Sequence, residues 1–239
     1  MANNYFQFKQ FTVHQDKAAM KVGTDGVLLG AWVNVLPCST ILDVGTGTGL
    51  IALMMAQRND SALISAIDID AKAVEQANDN CRQSPWGERI KVEHITLQSM
   101  EIPCDGGFDH IVCNPPFFIN AYKANDASRN MARHTDHLSF DDLIQHAHRL
   151  TNDRGRLSVV LPYACKDDFT TRAHNYGFSL ARFCAVRPTP AKGYVRCLME
   201  FSKQPLPHQE RTELVIEDKG RHGYSDDYIA LTKAFYLAM

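Results

Sequence analysis

The run Asp43-Val44-Gly45-Thr46-Gly47-Thr48-Gly49 constrains the fold more than any other part of the chain. Thr40-Ile41-Leu42 precedes it, and an Ala/Met-rich stretch over residues 50–56 follows. The segment therefore reads as strand, Gly-rich turn, helix, the context a nucleotide-type loop requires. Glycines at alternate positions permit a tight turn and let a ligand approach the backbone, while the helix start offers free N–H groups. The spacing is G-x-G-x-G with an acid two residues before the first glycine, whereas the dinucleotide fingerprint is G-x-G-x-x-G. The shorter loop suits a ligand with an amino acid where a dinucleotide carries its pyrophosphate, and it disfavours a nicotinamide dehydrogenase.

Leu63-Ile64-Ser65-Ala66-Ile67 reads as the next strand, closed by Asp68-Ile69-Asp70 a little over twenty residues after the loop. A carboxylate at that place can accept both hydroxyls of a ribose. Asp68 is the candidate, and Asp70 is expected to cap a helix over residues 71–80. Further on, Asp109-His110-Ile111-Val112-Cys113 reads as a buried strand and delivers Asn114-Pro115-Pro116-Phe117 at its carboxyl end. Two consecutive prolines fix φ twice and supply no N–H, which makes a stiff elbow. Such an elbow can present the Asn114 side-chain oxygen and the Pro115 carbonyl as fixed acceptors, with the Phe117 ring beside them. Two acceptors and an aromatic face suit a planar NH2 group, such as the exocyclic amine of adenine. An isolated Asn-Pro-Pro is more often a rigid surface turn; the register with the loop and with Asp68 favours the amine holder.

This order of elements resembles the class I S-adenosylmethionine-dependent methyltransferases, and within them the amino-methylating branch with [D/N/S]-P-P-[Y/F] after the fourth strand. Residues Phe8 to Gln15, Met20-Lys21-Val22-Gly23-Thr24-Asp25-Gly26, Arg129, Ala132-Arg133-His134, Leu138-Ser139-Phe140 and the ending Asp227-Tyr228 to Leu237 resemble the bacterial tRNA(Val) adenine-N6 methyltransferases. The resemblance spans essentially the whole chain. It implies a Rossmann-like α/β fold with a seven-stranded, mostly parallel sheet, an antiparallel last strand and helices on both faces. It also implies S-adenosylmethionine as cofactor and methylation of an adenine beside the anticodon, position 37, of a valine tRNA. The catalytic set would be Asn114, Pro115, Pro116 and Phe117. Asp43, Gly45, Gly47 and Gly49 would hold the methionine part, Asp68 the ribose, and Ile69 with Gln98 and Ser99 the adenine, and Asn114 would contact the cofactor as well as the substrate. Lys21, Gly23 and Asp25 would close over the methionine end. Two positions depart from the family: Phe117-Phe118 stands where Tyr is common, and Gln98-Ser99 where an acid is frequent. Neither change removes a needed group, since Phe stacks and Gln can bond an adenine edge.

At 239 residues the chain fits one large α/β domain. Its expected parts are an N-terminal closing segment (1–35), a catalytic core (36–203) and a C-terminal extension (204–239), the last holding a polar, Pro-containing loop or edge segment. Seven scattered cysteines without a C-x-x-C pair argue for reduced thiols in the cytoplasm and against a zinc site. The histidines show no ligand spacing, so no metal is expected. Residues 1–7 lack a secretion signal, and no apolar run approaches a membrane span. The formal charge of −2 provides no global basic footprint, so RNA must be met by local cations. Candidates are Lys9, Lys123, Arg129, Arg133, His134, Lys192 and Arg196, which flank the presumed site. No obligate protein partner is evident. The same elbow serves guanine-N2 methylation of ribosomal RNA in related enzymes, which is the alternative reading. A cofactor-binding RNA protein without catalysis is disfavoured, because it would not need the elbow's geometry.

Overall fold

In a computed structural model of the chain, residues 3–103, 106–115 and 138–239 are described. A short hairpin, β1 (Tyr5–Gln7) with β2 (Thr12–His14), leads into helix α1 (Thr24–Trp32). Then come β3 (Thr40–Val44), α2 (Leu50–Arg58), β4 (Leu63–Asp68), α3 (Ala71–Arg82), β5 (Ile90–His94) and β6 (Phe108–Cys113). The second half holds α4 (Phe140–Leu150), β7 (Thr151–Pro162), α5 (Lys166–Asn175), β8 (Ser179–Arg187), β9 (Arg196–Ser202), β10 (Glu210–Val215) and α6 (Asp226–Thr232).

The main sheet runs β10-β8-β9-β7-β6-β3-β4-β5. Strands β5, β4, β3, β6 and β7 pair in parallel, and β9 is antiparallel to both β7 and β8. These are the seven expected strands with the expected antiparallel last one. An eighth, β10, extends them by pairing in parallel with β8. It occupies the stretch read as a loop or edge segment, where Glu210, Arg211, Thr212 and Glu213 stay exposed as an edge strand allows.

Both sheet faces are apolar, so successive strand residues alternate between two cores. Ile41, Val112 and Val160 face one cluster with Leu28, Leu29, Leu53 and Met54 of α1 and α2. Leu42, Ile111, Leu157 and Val159 face the other with Leu143, Ile144 and Phe169 of α4 and α5. The first core also takes in Phe8 and Phe11 from the N-terminal hairpin and Tyr228 and Phe235 from the C-terminal end.

Local signals account for the helix starts. Asp70 caps α3 by accepting from the Lys72 N–H at 2.9 Å, and Ser139 caps α4 by accepting from the Asp142 N–H at 3.0 Å. Helix α5 is followed by Gly177 at φ 89°, a left-handed position suited to glycine. At Gly30, a Cβ would stand 2.7 Å from Met54 Sδ, so the absent side chain is what lets α1 lie close on α2.

Candidate active site

The Gly-rich turn lies at the carboxyl ends of β3 and β4. Gly45, Gly47 and Gly49 take φ values of 70°, 58° and 81°, which an L side chain adopts only at a cost. The Gly45 and Thr46 amides both donate to the Ile67 carbonyl at 2.9 and 3.0 Å. The Gly47 amide donates to Asp68 Oδ2 at 2.9 Å, and the Asp70 amide to Asp68 Oδ1 at 3.0 Å. One carboxylate thus clamps the Gly turn to the start of α3. At Gly45 and Gly47 a Cβ would meet nothing within 4 Å among the described residues. The missing side chains leave an open cradle over the loop backbone.

Beneath the loop, Asp43 is fully buried. Its Oδ2 accepts from Thr46 Oγ1 at 2.6 Å and from the Ala52 N–H at 3.2 Å, joining the loop to the first turn of α2. Among the described residues its Oδ1 has no partner. Burial, reinforced by the nearby Asp68 charge, pushes the Asp43 carboxyl up to about 7, against the opposing pull of those two hydrogen bonds. Burial likewise pushes the Cys113 thiol well above its ordinary value, which keeps it neutral.

A cavity of about 860 Å³ opens over this cradle. It brings together Gly45, Gly47, Asp68, Ile69, Gln98 and Asn114, six of the residues expected from the sequence. Ile69 is half-exposed, and its carbonyl meets His94 Nε2 at 2.9 Å. Gln98 belongs to a turn pinned by Arg149, whose Nη2 donates to the Met100 carbonyl at 2.8 Å. Asn114 is half-buried at the end of β6 and Pro115 is buried behind it. Helix α1 offers Gly26 at this point: a Cβ there would lie 4.0 Å from Asn114 Nδ2.

Other expected residues stand elsewhere. Asp43 and Gly49 support the loop without lining the cavity, Gly49 being the left-handed cap of α2. Ser99 is turned to Thr96, whose Oγ1 donates to its Oγ at 2.9 Å. Lys21, Gly23 and Asp25 are absent from the wall; Ala18, Ala19 and Met20 stand there instead. The reason is long-range. Asn80 exchanges hydrogen bonds with the His14 backbone at 2.9 and 2.8 Å, and Gln76 accepts from the Lys17 N–H at 2.9 Å. Lys17 Nζ then reaches Glu75 at 2.6 Å and Asp79 at 2.9 Å. The segment is strapped along α3, which carries residues 18–20 over the cavity. Asp25 pairs with Arg196 at 2.8 Å, linking α1 to the start of β9.

Among the RNA candidates, Lys9 is exposed and already engaged. Its ammonium donates to the main-chain oxygens of Lys233 and Met239 at 2.6 and 2.9 Å, tying the two ends of the chain together. Lys192 is exposed on the turn between β8 and β9. Pro116, Phe117, Lys123, Arg129, Arg133 and His134 lie outside the described residues. Sequence reasoning missed Ala18, Ala19 and Met20; the only signal was a pair of small residues just before the Lys-Val-Gly-Thr-Asp-Gly element. Among the described residues no three His, Cys, Asp or Glu groups stand together to hold a metal ion, and no helix is long and apolar enough to cross a membrane.

Comparison with known proteins adds to this geometry. Residues 26–167 match the methyltransferase small domain. The chain is 46% identical over 239 residues to a tRNA1(Val) (adenine(37)-N6)-methyltransferase of Parabacteroides distasonis, covering all of both chains. It is 49% identical over 244 residues to a protein of that name from Phocaeicola vulgatus, again with full coverage of both. Among solved structures, a predicted O-methyltransferase of Agrobacterium tumefaciens superposes with a TM-score of 0.65 at 18% identity, covering 88% of this chain and 96% of that one. Pyrococcus horikoshii TYW2, solved in complex with MeSAdo, gives 0.58 at 13% identity, covering 83% of this chain and 70% of that one. Those two likenesses speak for the fold.

Proposed function

The chain belongs to the tRNA1(Val) (adenine(37)-N6)-methyltransferase family, and on that premise we infer that it methylates the exocyclic N6 amine of an adenine in tRNA, at position 37 of a valine tRNA, with S-adenosylmethionine as donor. The observation that carries this reading is the single cavity in which Asn114 shares a wall with the open Gly45–Gly47 cradle and with Asp68. The open cradle at Gly45 and Gly47, where a Cβ would meet nothing within 4 Å among the described residues, fits a ligand that lies against backbone.

When bound, S-adenosylmethionine supplies an activated methyl group. The chain's own part is to hold and orient. The loop backbone at Gly45 and Gly47 would cradle the methionine part, with Asp43 and Gly49 keeping the loop in shape. Asp68 would exchange its backbone amides for, or share them with, the ribose hydroxyls. Ile69 would cover one face of the adenine, and Gln98 its edge. On the acceptor side, the N6 lone pair of adenine is delocalised into the ring and is a poor nucleophile. Asn114 Oδ1 and the Pro115 carbonyl, each accepting one N–H, would turn that lone pair out of the ring plane and toward the donor. Positioning and fixed hydrogen bonds then supply most of the rate enhancement, and no side-chain base is needed. To reach the elbow the base must leave its stack, and Phe117 is expected to offset part of that cost by stacking on it. The reading calls for RNA and cofactor, no metal and no further protein. A tRNA substrate together with dispersed cysteines supports a cytoplasmic place of action.

The test uses radiolabelled S-adenosylmethionine with unmodified tRNA, ribosomal RNA and duplex DNA in parallel, followed by separation of labelled nucleosides. Label in N6-methyladenosine from valine tRNA is expected, and Asn114→Ala should abolish it while leaving cofactor affinity within a few-fold. Label confined to N2-methylguanosine of ribosomal RNA, or a fully active Asn114→Ala, would overturn the reading.

A further inference from the structure

The carboxyl edge of the sheet carries, beyond the cavity, a layered group that the reaction just described does not use. Tyr163 follows β7, and Tyr194 sits on the exposed turn between β8 and β9, 36% exposed. Their rings lie 5.0 Å apart at 31°. Lys166 Nζ stands 5.1 Å from the centre of the Tyr163 ring, and the Arg187 guanidinium 5.6 Å from that of Tyr194. Each ring thus carries a cation, and the two rings lie against each other at a tilt.

The cluster is held from its base. Glu213 on β10 accepts from the Tyr194 hydroxyl and pairs with Arg187 at 3.3 Å. The Tyr163 amide donates to the Val195 carbonyl at 3.2 Å, fixing the turn to the end of β7. Pro188 and Pro190 stiffen the turn itself. With its hydroxyl taken, Tyr194 has only its ring to offer an incoming molecule. A rigid aromatic face with a guanidinium against it and an exposed lysine (Lys192) two residues earlier on the same turn suits a nucleotide, because any base can stack on the ring while the cations meet phosphate.

Register places this group close to the elbow. Cys113 is paired with Val159, which sets Asn114 level with Val160. Tyr163 then stands three residues further along the neighbouring strand, about 11 Å from Asn114 at roughly 3.3 Å per residue and 4.8 Å between strands. That is within reach of a nucleotide flanking one already flipped toward Asn114.

We propose that the Arg187–Tyr194–Tyr163–Lys166 cluster is a docking platform for an unpaired nucleotide next to the target adenine, an inference that rests on the RNA reading of the site. The base stacks on the exposed part of the Tyr194 ring, and Arg187, held by Glu213, meets the phosphate together with Lys192. Flanking-base stacking of this kind holds the unpaired loop of the RNA open while its neighbour occupies the elbow.

The test uses the full chain with an unmodified valine tRNA transcript, and the same transcript carrying 2-aminopurine on either side of the target adenine. Tyr194→Ala should raise the KM for the transcript by about tenfold or more, with cofactor Kd and melting temperature unchanged. It should also lose the 2-aminopurine fluorescence change that the wild-type protein produces at one flanking position. Tyr194→Phe, which keeps the ring, should stay within about twofold of wild type on both counts. If wild type methylates the transcript and Tyr194→Ala matches it in KM and fluorescence, the platform is refuted while the function stands. If wild type does not methylate the transcript, the function reading falls and the platform with it.

Discussion

Gly47→Ala separates the cost of backbone strain from the loss of a ligand cradle. Gly47 holds φ 58°, and among the described residues a Cβ there would meet nothing within 4 Å, so the new methyl group clashes with none of them. Its folding penalty is therefore the left-handed conformation alone, about 1–2 kcal/mol. For a domain of this size that lowers the melting temperature by roughly 2–8 °C. Gly220 supplies the control: it holds φ 87°, also with nothing within 4 Å of its Cβ position, on a loop that does not line the cavity. Gly220→Ala should cost the same stability. Only Gly47→Ala places a methyl group where the cofactor approaches the loop backbone, so only it should lose cofactor affinity, by about tenfold or more, which is about 1.4 kcal/mol. Melting curves and calorimetric titration with S-adenosylmethionine read both effects on the same samples. Equal destabilisation of the two variants with wild-type cofactor affinity in Gly47→Ala would show that the loop is not the cradle.

Asp68→Ala should weaken cofactor binding by about 1–3 kcal/mol through lost charge-assisted hydrogen bonds, and unchanged calorimetric affinity would move the ribose contact elsewhere. A second prediction concerns acid stability. His110 is buried, its Nδ1 3.0 Å from the Asn34 carbonyl and its Nε2 2.9 Å from Ser158 Oγ, an arrangement that fits the neutral ring with Nδ1 donating. Burial pulls its pKa from 6.5 down to about 4, opposed by the charge of Glu200. Because the folded value lies below the unfolded one, stability is full above pH 6.5 and falls by about 3 kcal/mol as pH drops toward 4. Urea unfolding between pH 7.5 and 4.5 should give a shallower decline for His110→Gln, and parallel declines would refute the linkage.

Much of the site was legible because its parts are local. The strand, loop and helix around Gly45 to Gly49 are adjacent in sequence, and left-handed φ values at three alternate positions are a property glycine alone carries cheaply. Asp70 and Ser139 cap the helices they precede through bonds spanning two or three residues. The placement of Asp68 and Asn114 followed from one rule, that parallel strands bring their carboxyl ends to one edge.

What sequence alone determined was therefore the order of elements and the chemistry at strand ends, since hydrogen bonds and φ preferences act over a few residues. Tertiary structure decided which distant segment completes the wall and which cations are free. Ala18 to Met20 have neither periodicity nor charge to mark them, and they reach the cavity because Asn80, Gln76, Glu75 and Asp79, some sixty residues away, hold His14 and Lys17 just before them. Lys9 and Arg196 read alike as candidate RNA contacts in sequence, yet one reaches main-chain oxygens at the far end of the chain and the other pairs with Asp25. A lysine's or arginine's sequence neighbours do not specify its partner, because a long side chain is captured by whatever acceptor the packed fold brings within reach.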